Sequence, residues 1–189
     1  ELLPDPTPSQ GLPAFEYTEL YNRTGQPVSL RKWTYQDGSS QVTLPDTVIP
    51  AKTTLLLLPE AADTAFADSI KKLPLINWPT LNNGGDQLIV KSPAGKTIDS
   101  LNYDDTWYNN PGKAEGGWAL AQVNPNHPCS GPGNWRGSTD SMGGTPGQQN
   151  AVYDTVPDTT APTVAGIQVI DSQTLRVTFS ERVEVASLQ

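Results

Sequence analysis

Nucleophilic or acid–base chemistry requires a few side chains in mutual reach, and this sequence offers few candidates. Its single histidine, His127, stands two residues before its single cysteine in Asn126-His127-Pro128-Cys129. A nucleophile needs a base within hydrogen-bond reach and a third group to orient that base. A proline-bracketed pair two residues apart is a poor dyad, and one His with one Cys falls short of a zinc ligand set. One cysteine makes no disulfide within the chain. Cys129 is therefore expected to be an inert thiol, or to pair with a cysteine outside these 189 residues. The nearest carboxylate pair is Glu16 and Glu19. Three residues apart on a strand, they point to opposite faces and cannot flank one glycosidic bond. No catalytic residue is assigned, and the chain is expected not to be an enzyme.

Binding chemistry has more candidates. Asp99, Asp104, Asp105, Asn109 and Asn110 lie in or beside one loop, with oxygen ligands that suit calcium, but without the glycine-spaced loop and terminal Glu of a recognised motif. The alternative is that Asp and Asn occupy turns because they bond their own backbone. No other cofactor is implied. Trp107, Tyr108 and Trp135 come from long loops and are candidate contacts for a glycan or partner, with Trp118 nearby. The alternative is that these rings fill the core and pin the loops.

The elements that would position these residues are short strands. Glu16–Asn22 alternates with period two, placing Tyr17, Glu19 and Tyr21 on one face and Thr18 and Leu20 on the other. Val28–Leu30 and Trp33–Gln36 read as one short strand with a break at Arg31-Lys32, and Asp37-Gly38 as a hairpin turn leading to Val42-Thr43-Leu44. The run Thr54–Pro59, TLLLLP, reads as a strand buried on both faces. Ala61–Lys72 is the one predicted helix, with Phe66 and Ile70 four apart. Gln87–Lys91, Thr97–Tyr103 and Trp118–Val123 are predicted strands, with Ile98, Leu101 and Tyr103 available to the core. Residues 104–117 and 124–150 read as long loops. Residues 154–163 read as a linker, and Ala165–Ile170 with Leu175–Phe179 as two more strands. Those two are too few to bury a core alone. They are expected to be the start of a second domain or appended strands, free to pair with another chain. The fold class is all-β, an antiparallel β-sandwich with one short crossover helix and long loops rich in the chain's 16 Gly and 18 Pro.

The net charge is −8, with only 12 Lys and Arg. Phosphate backbones are bound chiefly through Lys and Arg, so nucleic acid is not expected as a partner. No apolar run reaches the roughly 20 residues that span a bilayer as a helix. The chain starts at Glu1 inside an apparent strand, without Met or signal peptide. It is read as a piece excised from a longer protein.

Several segments in order resemble the lamin tail domain in its secreted bacterial form. They are Glu19-Leu20-Tyr21-Asn22, Pro27-Val28, Trp33, Leu44-Pro45, Ile49-Pro50, and Leu81-Asn82-Asn83 with Gly85-Asp86. Ile98-Asp99-Ser100, Tyr103, Trp107, Gly117-Trp118-Ala119-Leu120, Asn134-Trp135 and Gly143-Gly144-Thr145-Pro146-Gly147 follow. The resemblance covers residues 1–153 and implies an immunoglobulin-like sandwich, although the first strand is cut to Glu1-Leu2-Leu3. Residues 164–189 resemble the truncated start of a bacterial surface immunoglobulin-like domain. The expected function is a non-catalytic interaction or structural module of a larger secreted or cell-surface bacterial protein, meeting a protein or glycan outside the cytoplasm. A carbohydrate-binding module is the alternative. Nuclear and chromatin roles are not carried over, given the acidic charge. Nine of the 13 Asp precede Ser or Thr. In seven cases the surrounding residues resemble the O-glycosylation signal of Bacteroidetes-like secreted proteins, which marks Thr47, Thr64, Ser69, Ser100, Ser141, Thr155 and Thr159. Turn and capping chemistry favours the same pairs.

Overall fold

A computed structural model describes residues 1–127, 131–155, 161–180 and 183. The expectations placed on Cys129 and Thr159, and half of the expected linker (residues 156–160), lie outside the described residues. The strands in chain order are β1 (Leu2–Leu3), β2 (Tyr17–Tyr21), β3 (Val28–Ser29), β4 (Thr34–Gln36), β5 (Gln41–Thr43), β6 (Val48–Ile49) and β7 (Thr54–Pro59). They continue with β8 (Lys72–Leu75), β9 (Gly85–Lys91), β10 (Thr97–Asp104), β11 (Leu120–Gln122), β12 (Trp135–Gly137), β13 (Val164–Val169) and β14 (Leu175–Phe179). One sheet has the order β12-β11-β1-β2-β7-β8, and a second has β10-β9-β4-β5.

The two sheets form a sandwich. Leu2, Leu55, Leu57 and Leu120 of the first meet Tyr35, Leu88, Val90 and Tyr103 of the second in one apolar cluster. The leucine run of β7 is buried on both faces, as its composition requires. Leu55 and Leu57 face the second sheet. Leu56 and Leu58 face the other way, into a cluster with Leu3, Tyr17, Phe66 and Ala119. That outer face is covered by irregular chain: Leu12 and Phe15 of the N-terminal arm, and Ala62, Phe66 and Ile70 of the crossover after β7. The alternation read in β2 holds. Thr18 and Leu20 pair with Leu57 and Leu55 on the inner face, and Glu19 pairs with Leu56 on the outer face.

The crossover departs from expectation. No helix spans residues 61–72. A single 3-10 turn covers Glu60–Ala62, followed by further i→i+3 bonds from Ala65 N to Ala62 O and from Ile70 N to Ala67 O. The reason is tertiary. Leu56 N donates to Lys71 O, and Lys72 begins β8, parallel to β7. Sheet pairing thus claims the residues that would have formed the last helical turn. Lys72 Nζ instead donates to the Asp63 and Phe66 carbonyls at 2.5 and 2.8 Å, closing the crossover over Leu56 and Leu58. A parallel pair requires such a crossover, so the first sheet is mixed rather than wholly antiparallel.

Strands β8 and β12, the helical turn α1 (Pro111–Ala114) and the 3-10 turns Asp105–Tyr108 and Gly131–Asn134 were not anticipated from the sequence. Ile98 is not a core residue. It is 43% exposed, at a register shift between Thr97 and Asp99 that disrupts the alternation. Strands β13 and β14 form a separate hairpin in which Ile167 faces Val177 and Val169 faces Leu175.

Close backbone approach fixes how the arm lies on the sandwich. Gly117 N donates to Asp5 O at 2.8 Å, and Ala119 N to Gly143 O at 2.7 Å. Gly117 and Gly143 have φ of +77° and +97°, where a Cβ is disfavoured. A Cβ on either would also overlap a backbone oxygen, that of Pro8 or of Gly117 itself. Gly117→Ala and Gly143→Ala are each expected to destabilise the fold by about 3 kcal/mol or more. Gly25→Ala, where nothing lies within 4 Å, should be nearly neutral. Urea denaturation of the three variants tests this, and a neutral Gly117→Ala contradicts it.

Candidate functional site

The candidate contact residues lie between the end of β10 and β12. Asp104 ends β10, and its Oδ1 accepts Thr106 N at 2.9 Å, starting a 3-10 turn over Asp105–Tyr108. Asn109 closes that turn in the left-handed region, at φ 52°. Asn110 then caps α1 by accepting Gly112 N at 3.0 Å, with Pro111 at the first helical position. These two successive turns aim Trp107 and Tyr108 in different directions.

Tyr108 points inward. It is 4% exposed, and its hydroxyl donates to Trp118 O at 3.1 Å. Its hydroxyl pKa is pushed up, first by burial and then by the charges of Asp5 and Asp105. Trp107 is half-buried beside Trp135 of β12, with ring centroids 6.4 Å apart and planes inclined at 44°. Both rings pack against the main core. Lys113 of α1 lies 4.6 Å from the Trp118 ring centroid and donates to the Ser138 carbonyl. The aromatics therefore pin the two long loops onto the sandwich, and the half-exposed edge of the Trp107–Trp135 pair is what they offer to solvent.

Beside them a cleft of about 420 Å³ is lined by Asp105, Thr106, Asn109, Asn110, Pro111 and Glu115, with Ala114. It gathers part of the set considered for calcium. Two of those side chains bond their own loop: Asp104 and Asn110 cap turns. Asn109 Nδ2 reaches Trp135 O at 3.4 Å. Asp99 accepts its neighbour's Ser100 N at 2.9 Å. Among the described residues no three of His, Cys, Asp and Glu come together to hold a metal ion. Of the candidate modification positions, Thr64, Ser69, Ser100, Ser141 and Thr155 are exposed and Thr47 is half-buried.

The carboxylates near β2 have a different use. Glu16 and Glu19 indeed lie on opposite faces. Glu16 Oε2 accepts Trp78 Nε1 at 2.6 Å and Leu81 N at 3.0 Å, fixing the chain between β8 and β9. Burial raises its pKa, and those two donors oppose the rise. Glu1 accepts the Tyr17 hydroxyl at 2.6 Å and Thr145 N at 2.9 Å. Glu19 accepts Gly147 N at 2.5 Å and is also bonded by the Thr54 side chain. Glu1, just before β1, and Glu19 of β2 thus hold one loop, residues 143–147. Buried amides act in the same way. Asn22 Nδ2 donates to the Gln26, Ile49 and Pro50 carbonyls. Asn134 accepts Asn124 N and donates to Asn124 O, both at 2.8 Å. Only Asn22 carried a sequence signal, a polar residue at a strand end before a turn with Gly and Pro; Glu1, Glu16, Glu19 and Asn134 precede or lie within strands and carried none.

Glu19 carries a pH dependence. Burial pushes its carboxyl from 4.5 up to about 7, with Glu1 adding to the rise while the chain's amino group, Gly147 N–H and Thr54 oppose it. A group with a raised folded pKa contributes stability at low pH that is lost as pH rises from the unfolded value through the folded one. Glu19→Gln keeps an acceptor for Gly147 and cannot ionise. Relative to this variant, the wild-type chain is expected to lose about 2–3 kcal/mol as pH rises from 4.5 to 7. Urea denaturation at several pH values reads the difference, and a difference that stays constant contradicts it.

A family model described as Lamin Tail Domain matches residues 1–105. A comparison with curated proteins finds no match.

Proposed function

The chain belongs to the lamin tail domain family, and from that premise we propose that it is an interaction or structural module of a larger secreted or cell-surface bacterial protein. The family is a non-enzymatic domain type. One observation carries the proposal: every buried side-chain nitrogen or oxygen among the described residues has a hydrogen-bond partner. Catalysis and tight ligand capture use polar groups held ready for a substrate. Here Glu1, Glu16, Glu19, Asn22 and Asn134 are engaged in holding loops. What the module offers outward is long loops, the Trp107–Trp135 edge and exposed strands, to a protein or glycan outside the cytoplasm. Nucleic acid is not proposed, because the chain carries −8. Residues 1–153 form the lamin-tail-like unit in this reading. Residues 164–189 begin a second immunoglobulin-like unit.

The alternative, a carbohydrate-binding module, draws support from the contact between Trp107 and Trp135. Glycan-array binding lost in Trp107→Ala, with the fold retained, would favour it. Equal binding by wild type and variant, or none, would leave the aromatics as loop anchors.

The surface positions Thr64, Ser69, Ser100, Ser141 and Thr155 are exposed, as O-glycosylation of a secreted protein requires. Protein isolated from the native host is expected to show an intact mass above that of its polypeptide. An intact mass equal to that of the polypeptide contradicts this part of the proposal.

A further inference from the structure

The pair Asn83-Gly84 occurs once in the sequence, at the tip of the turn that enters β9. Gly85 N donates to Asn82 O at 3.2 Å, closing the turn. Asn82 is held on three sides: its backbone N and its Nδ2 donate to Asp86 Oδ2, and its carbonyl accepts the Tyr103 hydroxyl. Asn83 and Gly84 are exposed. A Cβ built on Gly84 would meet nothing within 4 Å, so the residue that follows Asn83 has no side chain and none packs over its Cα. The Asn83 side chain reaches across the surface, its Nδ2 donating to Asp5 Oδ2 of the N-terminal arm at 2.8 Å.

We propose that Asn83 is a site of spontaneous deamidation whose product repels Asp5 and loosens the N-terminal arm. The Gly84 backbone nitrogen, losing its proton to hydroxide, attacks Asn83 Cγ. The bond from Cγ to Nδ2 breaks and ammonia leaves, giving a five-membered succinimide. Water then opens either carbonyl, leaving an aspartate or an isoaspartate at position 83. In either product a carboxylate replaces a donor opposite the Asp5 carboxylate, and an attraction becomes a like-charge contact. Asp5 is the hinge of the arm: its Oδ1 accepts Thr7 N at 3.2 Å and its carbonyl accepts Gly117 N at 2.8 Å.

Asp37-Gly38 provides an internal contrast, since Asp-Gly can form the same ring. There the side chain is 3% exposed and its Oδ1 accepts Ser39 N and Ser40 N. The nitrogen that would attack, Gly38 N, donates to Asp86 Oδ1 at 3.2 Å. Asp37 is therefore shielded where Asn83 is open.

The full chain, folded and incubated at mildly alkaline pH, tests the proposal by peptide mass spectrometry. The tryptic peptide of residues 73–91 is expected to gain one mass unit at Asn83, more slowly at mildly acidic pH, while the peptide carrying Asp37 shows neither the water loss of a succinimide nor a chromatographically separate isoaspartate form of equal mass. Gly84→Ala fits the open space and should slow the gain roughly tenfold, because a Cβ hinders the attacking nitrogen. No gain in the folded chain, gain at Asn77 or Asn82 instead, or an unchanged rate in Gly84→Ala overturns the site. For the consequence, Asn83→Asp should speed hydrogen exchange at the Thr7 amide several-fold, and adding Asp5→Asn should restore it by giving the new carboxylate a donor. Exchange unchanged in Asn83→Asp, or not restored in the double variant, overturns the loosening.

Discussion

Everything else in this structure follows from a strand that must be buried on both faces. Leu55 to Leu58 of β7 are each at most 1% exposed. Each buried leucine is worth about 2–3 kcal/mol relative to exposure, so a sandwich with one bare outer face would forfeit half of that gain. The inner face is covered by the second sheet. Among the described residues no third sheet covers the outer face. Its cover is the N-terminal arm, the crossover and the loop of residues 143–147, and irregular chain leaves backbone donors that no neighbouring strand satisfies.

The buried polar residues answer that difficulty. On the outer face Glu1 and Glu19 take the Thr145 and Gly147 amides, and the same device recurs elsewhere, where Glu16 takes the Leu81 amide and Asn134 that of Asn124. Charged acceptors make stronger hydrogen bonds than neutral ones, which suits a loop with few apolar contacts of its own. The raised pKa of Glu19 shows the opposing cost of desolvating a carboxylate. Lys72 performs the mirror task on the crossover, where a cation supplies donors to the Asp63 and Phe66 carbonyls.

Much of this was legible in the sequence where period and burial agree. The TLLLLP run and the alternation in β2 dictated their faces, and the odd spacing of Glu16 and Glu19 separated them. The crossover was illegible because local propensity in Ala61–Lys72 favours a helix, and only pairing with β7 overrides it. Strand β12 was hidden in a Gly- and Pro-rich stretch, since three residues carry no usable period. Tyr108 could not be told from Trp107 by sequence. Adjacent aromatics look alike until the 3-10 turn sends one inward. The clamps were invisible for a related reason: the partner of Glu19 lies 128 residues away.

Buried and half-buried side chains hold the loops as firmly as strands hold each other. Native-state hydrogen exchange at the Leu81, Asn124, Thr145 and Gly147 amides tests it most directly. Each donates to a buried or half-buried side chain, so all four should exchange far more slowly than open surface amides, and Asn124, whose bond is fully buried, as slowly as the amides of β7. Exchange at the rate of an open surface loop would contradict the account.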